Sequence, residues 1–334
     1  MKKHNMIKVS VIIPVYNVEK YIEHCARSLM EQTLMDIEYI FVDDCTPDHS
    51  MEILQRVLTD YPERLENIRI IHHTQNSGSA AVRNTGLQIA QGEYIIHCDS
   101  DDWVEPDMYK AMYAKAKETD ADIVVTDYYY EYANHTSIQK QNYPDNPLFC
   151  IKKMLAGELH CGTWNKLVRK AIYVENNIFF PDGVNMWEDV LTTISLCFHS
   201  AKIVYLPKAY YHYVQFNANS YTQRMSEKSL RNQIEAIKRL EIFLYDNDLE
   251  ELNHELCYMK LTVRLCLLLN SKGEQQKKWS DLYPEANACI LTYKEMSGYW
   301  RIALKLASWR MLFAFNVMAY GSRWIKICLA KVYA

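Results

Sequence analysis

The chain opens on short apolar, β-branched runs separated by amphipathic stretches. The runs at 9–15, 38–43, 68–71, 94–98 and 123–126 have the length and composition of buried strands. Between them, apolar residues fall at helical spacing. Val18, Tyr21, Ile22, Cys25 and Leu29 follow an expected N-cap at Asn17, and Ile53, Leu54, Val57 and Leu58 lie within 51–61. Further helices are expected at 80–90 and from Pro106, a residue suited to a first helical turn, to about 118. Regular alternation over the first 127 residues predicts an α/β fold with a doubly wound, mostly parallel sheet. From 128 to about 221 the pattern is mixed, with strands expected at 161–168, 203–206 and 210–214, a helix at 186–198 and a polar loop at 137–147. Beyond 225 nearly everything reads as helix, beginning with 229–245 and 249–269. The expected division is a domain at 1–224 and a helical C-terminal region at 225–334.

Three of the five strands end in acid. The fourth runs through Tyr94, Ile95, Ile96, His97 and Cys98 into Asp99-Ser100-Asp101-Asp102. Carboxylates that close repel one another, and burying them unpaired is costly. At the carboxyl end of a parallel strand they face the crevice where open α/β sheets bind ligands. A divalent cation relieves the repulsion and can in turn hold a diphosphate. A solvated acidic turn is the plainer alternative.

Composition narrows the classes. With 49% apolar and 23% charged residues the chain is globular rather than disordered. The 10 Cys contain no Cys-x-x-Cys pair, which indicates neither a zinc site nor a redox pair and fits a reducing cytoplasm. No uninterrupted apolar run reaches the length of a membrane span, about 18 residues. The net charge of −4 hides an asymmetry. Arg301, Lys305, Arg310, Arg323, Lys326 and Lys331 lie in a C-terminal stretch with no acid. The body is therefore acidic and unsuited to nucleic acid, while the tail suits an anionic partner. Trp300, Trp309, Phe313, Phe315 and Trp324 add aromatics of the interfacial kind, so peripheral contact with an anionic membrane is expected, a packed helical subdomain being the alternative.

At Pro14-Val15-Tyr16-Asn17, Asp43-Asp44, Gly78 with Arg83-Asn84-Thr85-Gly86, and Asp99-Ser100-Asp101-Asp102, the sequence resembles the family 2 glycosyltransferases of the GT-A fold. The resemblance covers about residues 7–220. It implies transfer of a sugar from a nucleotide-sugar, with UDP-sugar the first expectation, assisted by Mn²⁺ or Mg²⁺ and with inversion. Pro14, Tyr16 and Asn17 would line the base pocket, and Asp43 and Asp44 would take hydrogen bonds from base or ribose. Cys45 stands where the commoner motif has glycine, which stiffens that turn. Arg83 would meet the diphosphate, and Gly86 would let its helix approach the sheet. Asp101 is the first metal ligand, Asp99 serves ribose or metal, and Asp102 supports them. Asp189, beside Glu188, is the expected base for the acceptor hydroxyl. His212 is a further metal or diphosphate contact, Lys166 an anion contact, and Trp164 a sugar platform or core residue.

The expected activity is a metal-dependent, inverting glycosyltransferase acting on a glycan or lipid-linked glycan at the cytoplasmic membrane face. A sugar-phosphate nucleotidyltransferase is the rival enzyme, but Pro14-Val15-Tyr16-Asn17 is not its Gly-rich loop. A catalytically inactive nucleotide-binding scaffold is the non-enzymatic rival. No Gly-x-Gly-x-x-Gly follows the first strand, which disfavours a dinucleotide site.

Overall fold

A computed structural model describes residues 6–217 and 226–321. It divides into two compact units, one of Met1–Ile151 with Leu159–Arg224 and one of Lys152–Glu158 with the residues from 225 on.

The first unit begins with strand–helix alternation: β1 (Val9–Val15), α1 (Ile22–Met30), β2 (Ile37–Asp43), α2 (Ser50–Leu58), β3 (Ile68–His72), α3 (Ser79–Ile89) and β4 (Tyr94–His97). It continues through β5 (Trp103–Val104), α4 (Met108–Thr119), β6 (Ile123–Glu131), β7 (Thr136–Gln139), α5 (Pro147–Leu155), whose residues from Lys152 on belong to the second unit, β8 (Lys166–Arg169), α6 (Lys170–Glu175), α7 (Glu188–Phe198) and β9 (Ile203–Val214). The sheet order is β3-β2-β1-β4-β8-β6-β9-β5, with β7 on the edge of β6. β1 pairs in parallel with both β2 and β4, β2 with β3, and β6 with β9. β8 runs antiparallel between β4 and β6.

β1 is a near-continuous apolar strand because both its faces are covered. Val11 and Ile13 pack in the main core with Leu29 of α1 and Leu54 of α2. On the other face, a Cβ added to Gly86 of α3 would overlap Cγ2 of Ile12. The close helix–sheet approach expected at Gly86 is therefore present. The turn in strand order falls between β1 and β4, so their carboxyl ends open a crevice.

Several local expectations are corrected. Asn17 is not an N-cap: it is left-handed at φ 55°, and α1 starts only at Ile22. The run at 203–214 is one strand, bent by register shifts at Thr126–Asp127–Tyr128 of β6, rather than two strands. The region 161–168 is mainly loop, with strand only from Lys166.

The second unit contains α8 (Glu227–Asp246), α9 (Asn253–Leu269), α10 (Gly273–Ser280) and α11 (Gly298–Ser308), followed by helical residues at 312–321. Its own core joins Leu261, Leu268, Ile290, Leu304 and Phe315. The nine described cysteines are free thiols. Arg323, Trp324, Lys326 and Lys331 of the basic tail lie outside the described residues.

Candidate active site

The strand ends bring the acidic motifs together. Asp43 pairs in register with Val15 at the end of β1, and Asp44 donates its N–H to the Val15 carbonyl at 3.0 Å. On the other side of β1, Cys98 donates to the Ile12 carbonyl at 3.0 Å, which sets Asp99 beside the same crevice. Tyr16, at the mouth, is 46% exposed and free to meet a ligand. Pro14 is half-buried and Asn17 exposed.

The two aspartates after β2 are both buried, and each has both oxygens engaged with different partners. Asp43 accepts from the Thr46 N–H at 2.8 Å and faces Nδ1 of His72 at 2.8 Å. Asp44 is buried, and both its oxygens are used on the neighbouring turn. They accept from the Ser77 and Gly78 N–H groups at 2.8 and 2.9 Å, with Nδ1 of His73 at 3.1 Å. Asp44 thus anchors the Gly78 turn, which places less of it at a ligand than its expected role. Cys45 sits at φ 58°, the left-handed conformation that a glycine adopts without strain.

Arg83 ties the site together. Its Nη2 donates to Asp99 at 2.7 Å and its Nη1 to Glu188 at 2.7 Å. Arg83 and Glu188 lie 105 residues apart in sequence. Glu188 also accepts from Ser79 at 2.8 Å. The Glu188–Asp189 pair opens α7 directly after Trp187, whose φ of 70° is rare for a bulky residue. Such strain persists where the surroundings enforce it, and it clusters at functional sites. Burial, then the Glu188 charge, pushes the Asp189 carboxyl up to about 6. That value suits a group that must be unprotonated near neutrality yet still accept a proton.

Asp101 accepts from Asn217 Nδ2 at 2.8 Å. Burial and the Asp99 charge push its carboxyl up to about 6. Asp102 is fully buried and accepts from the Tyr211 hydroxyl at 2.7 Å and the Val214 N–H at 2.8 Å. The same hydroxyl accepts from the Asp99 N–H at 3.0 Å, so Asp102 fixes the acidic loop from beneath. Among the described residues no cluster of three or more His, Cys, Asp or Glu is placed to enclose a metal ion. An Asp99–Asp101 pair with an electrostatically strained carboxyl nevertheless fits Mg²⁺ or Mn²⁺. Such ions take one or two carboxylates and complete their shell with water and substrate phosphate.

Two expected contacts are placed elsewhere. The ammonium of Lys166 is buried and donates to the His160 carbonyl, the Gly162 carbonyl and Asn165 Oδ1 at 2.9, 2.7 and 2.9 Å. All three protons are used inside the loop, so none is left for a diphosphate. His212 stacks between Trp103 at 3.3 Å and Tyr129 at 4.3 Å. Its nitrogens face Glu131 at 2.6 Å and Glu105 at 3.1 Å, which leaves neither available to a metal. Trp164 is buried, stacked on Tyr211 at 4.4 Å, and is a core residue.

Three asparagines were given no role by the sequence reading. Asn217 holds Asp101. Asn84 grips both backbone groups of Phe180, at 2.8 and 2.9 Å, and Asn185 accepts from the Ala80 N–H at 3.3 Å. The last two clamp the segment leading to Glu188 onto the helix that carries Arg83. Only Asn84, inside the Arg83–Gly86 run, had any sequence signal.

A model of glycosyl transferase family 2 matches residues 10–175. The putative glycosyltransferase EpsH of Bacillus subtilis is 32% identical over 269 residues, 78% of this chain and 76% of that protein. The uncharacterized glycosyltransferase EpsJ of the same organism is 28% identical, with 91% of this chain and 93% of that protein covered. Among solved structures, residues 1–349 of S. aureus TarS in complex with UDP-GlcNAc align at a TM-score of 0.70 and 21% identity. That alignment covers 95% of this chain and 91% of the other.

Proposed function

The chain belongs to glycosyl transferase family 2 and is a glycosyltransferase of GT-A fold; on that premise we propose metal-dependent, inverting transfer from a UDP-sugar to a glycan or lipid-linked glycan. The observation that carries the reading is the Arg83 bridge at 2.7 Å to both Asp99 and Glu188. It sets a diphosphate-binding cation between a donor motif and a base motif. UDP is favoured because TarS, of like fold, was crystallised with UDP-GlcNAc.

Asp43 takes base or ribose hydrogen bonds, with Pro14, Tyr16 and Asn17 around the nucleoside. Arg83 is neutralised by carboxylates in the free protein and turns to the diphosphate when the donor enters. Asp101 and Asp99 would hold Mg²⁺ or Mn²⁺, which when bound neutralises charge on the departing diphosphate. Asp189 takes the acceptor hydroxyl proton as that oxygen attacks the anomeric carbon from the face opposite the diphosphate. One displacement of this kind inverts the centre. Glu188, held by Arg83 and Ser79, keeps the proton affinity of Asp189 high. A lipid-linked acceptor places the enzyme at the cytoplasmic membrane face. No described helix is long and apolar enough to cross a membrane.

The test is a thermal-shift panel of nucleotides and nucleotide-sugars with and without Mn²⁺. A ligand at a hundred times its Kd adds about 2.7 kcal/mol of stability. UDP should raise the melting temperature only with metal, and Asp101→Ala should remove that shift while Asp189→Asn keeps it. Equal donor affinity in wild type and Asp101→Ala would sink the metal role. No shift with any nucleotide would sink the donor site.

A further inference from the structure

The second unit carries an apolar row that its core does not use. Ala303, Leu304 and Ala307 of α11, with Phe315 and Ala319 beyond it, face inward. On the other side Ile302 is 55% exposed, Trp309 62%, Met311 50%, Phe313 84% and Val317 57%. Ile302 and Trp309 are seven residues apart, and Phe313, Val317 and Tyr320 follow at i, i+4 and i+7. Ile302 lies on α11 and Trp309 in the turn after it, and the helical residues 312–321 carry two apolar stripes, one inward and one outward. Single exposed apolar residues are ordinary, but an aligned row is not. At the corner between the pieces Arg310 is left-handed at φ 58° and pairs with Asp281 at 2.9 Å.

We propose that this row is the seat of the protein on an anionic lipid bilayer. The charge of the region selects that occupant. Lys305 lies 5.4 Å over the Trp309 ring, a cation and an indole side by side as at a headgroup layer. From Arg301 onward the sequence carries six basic residues and no acid. A second copy docking through the same face would bring the Lys305 charges of two copies to one interface. Anionic headgroups above a hydrocarbon boundary complement both the row and the charge. The inference rests on the lipid-linked acceptor reading for its purpose, but not for its test.

The experiment is co-sedimentation of the full chain with vesicles of phosphatidylglycerol and phosphatidylcholine, and with phosphatidylcholine alone, at low and high salt. Wild type should pellet with the anionic vesicles, little with the neutral ones, and less at high salt. Trp309→Ser with Phe313→Ser should lower the partition coefficient by about ten-fold or more, given the apolar area lost. Lys305→Glu should lower it with the row intact. All variants should keep the UDP–Mn²⁺ thermal shift, which certifies folding and separates this result from the donor site. Transfer to a soluble glycan by a protein that still pellets would remove the lipid-linked acceptor and leave the surface standing. Equal pelleting of wild type and the double variant overturns the inference. So does a concentration-dependent dimer, seen by light scattering, that the double variant abolishes.

Discussion

At Asp189 a carboxyl raised to about 6 predicts a pH profile. As the proposed base, Asp189 works unprotonated, so kcat/KM should rise with pH through about 6 and then level. Asp189→Asn should lower kcat by about a hundred-fold or more, the usual scale of general base catalysis, with donor affinity kept. The same residue states a stability cost. Asp189 and Asp101 bind protons more tightly folded, at about 6, than a carboxyl does unfolded, at about 4. Their stabilisation is complete below the unfolded value and is lost as pH rises through 6. Asp101→Asn in metal-free buffer at pH 8 should therefore raise stability by about 1 kcal/mol, measured by urea unfolding, while removing metal-dependent donor binding. Cys45 offers a second residue-scale test. A left-handed non-glycine residue costs roughly 1 kcal/mol, so Cys45→Gly should raise the melting temperature and Cys45→Ala, with the same backbone strain, should not.

Elements were legible where one face or both faces are buried by local rhythm. β1 matches its expected span to the residue, and α3 differs by one residue at each end. The bend in β9, the short β5 and the helix at 147–155 were not legible, because bulges and sheet edges are set by partners distant in sequence. Gly86 shows how an element carries the site. An Ala in a helix ordinarily stabilises by about 1 kcal/mol over Gly. Here its Cβ would overlap Ile12, so Gly86→Ala should instead destabilise by about 1–3 kcal/mol, the scale of overpacking. It should also raise the donor KM, because α3 carries Arg83. Ile12→Ala placed on top, although it leaves a cavity of its own, should cost less than the sum of the two single changes, whereas independent sites would simply add. The loop at 160–166 makes the opposite case. Lys166→Met should cost about 2–4 kcal/mol by stranding three buried acceptors, with donor KM unchanged in the folded protein.

At the scale of the molecule, the motif residues were legible because each ends a strand or opens a helix. What sequence could not give was their division of labour. Asp44 and Asp102 carry the same side chain as Asp43 and Asp101, yet they hold Gly78 and Tyr211 while the other two meet Thr46, His72 and Asn217. His212 and Lys166 carry chemistry-bearing groups, yet burial and neighbours consume them. Tertiary partners decide which polar group stays free, and no local rhythm encodes them. The two units have separate cores, one around β1 and one around α9, which is the condition for separate unfolding. All the residues of the proposed donor site belong to the first unit. Ligand linkage then predicts an asymmetric response. UDP with Mn²⁺ should raise the calorimetric transition of the first unit and leave the second in place, because a ligand stabilises only what binds it. Hydrogen exchange would report the same asymmetry residue by residue, with protection gained in β1, α3 and β4 and not in α9. Equal displacement of the whole unfolding profile would mean that the two cores melt as one cooperative system, and the separate-unit reading would have to be given up.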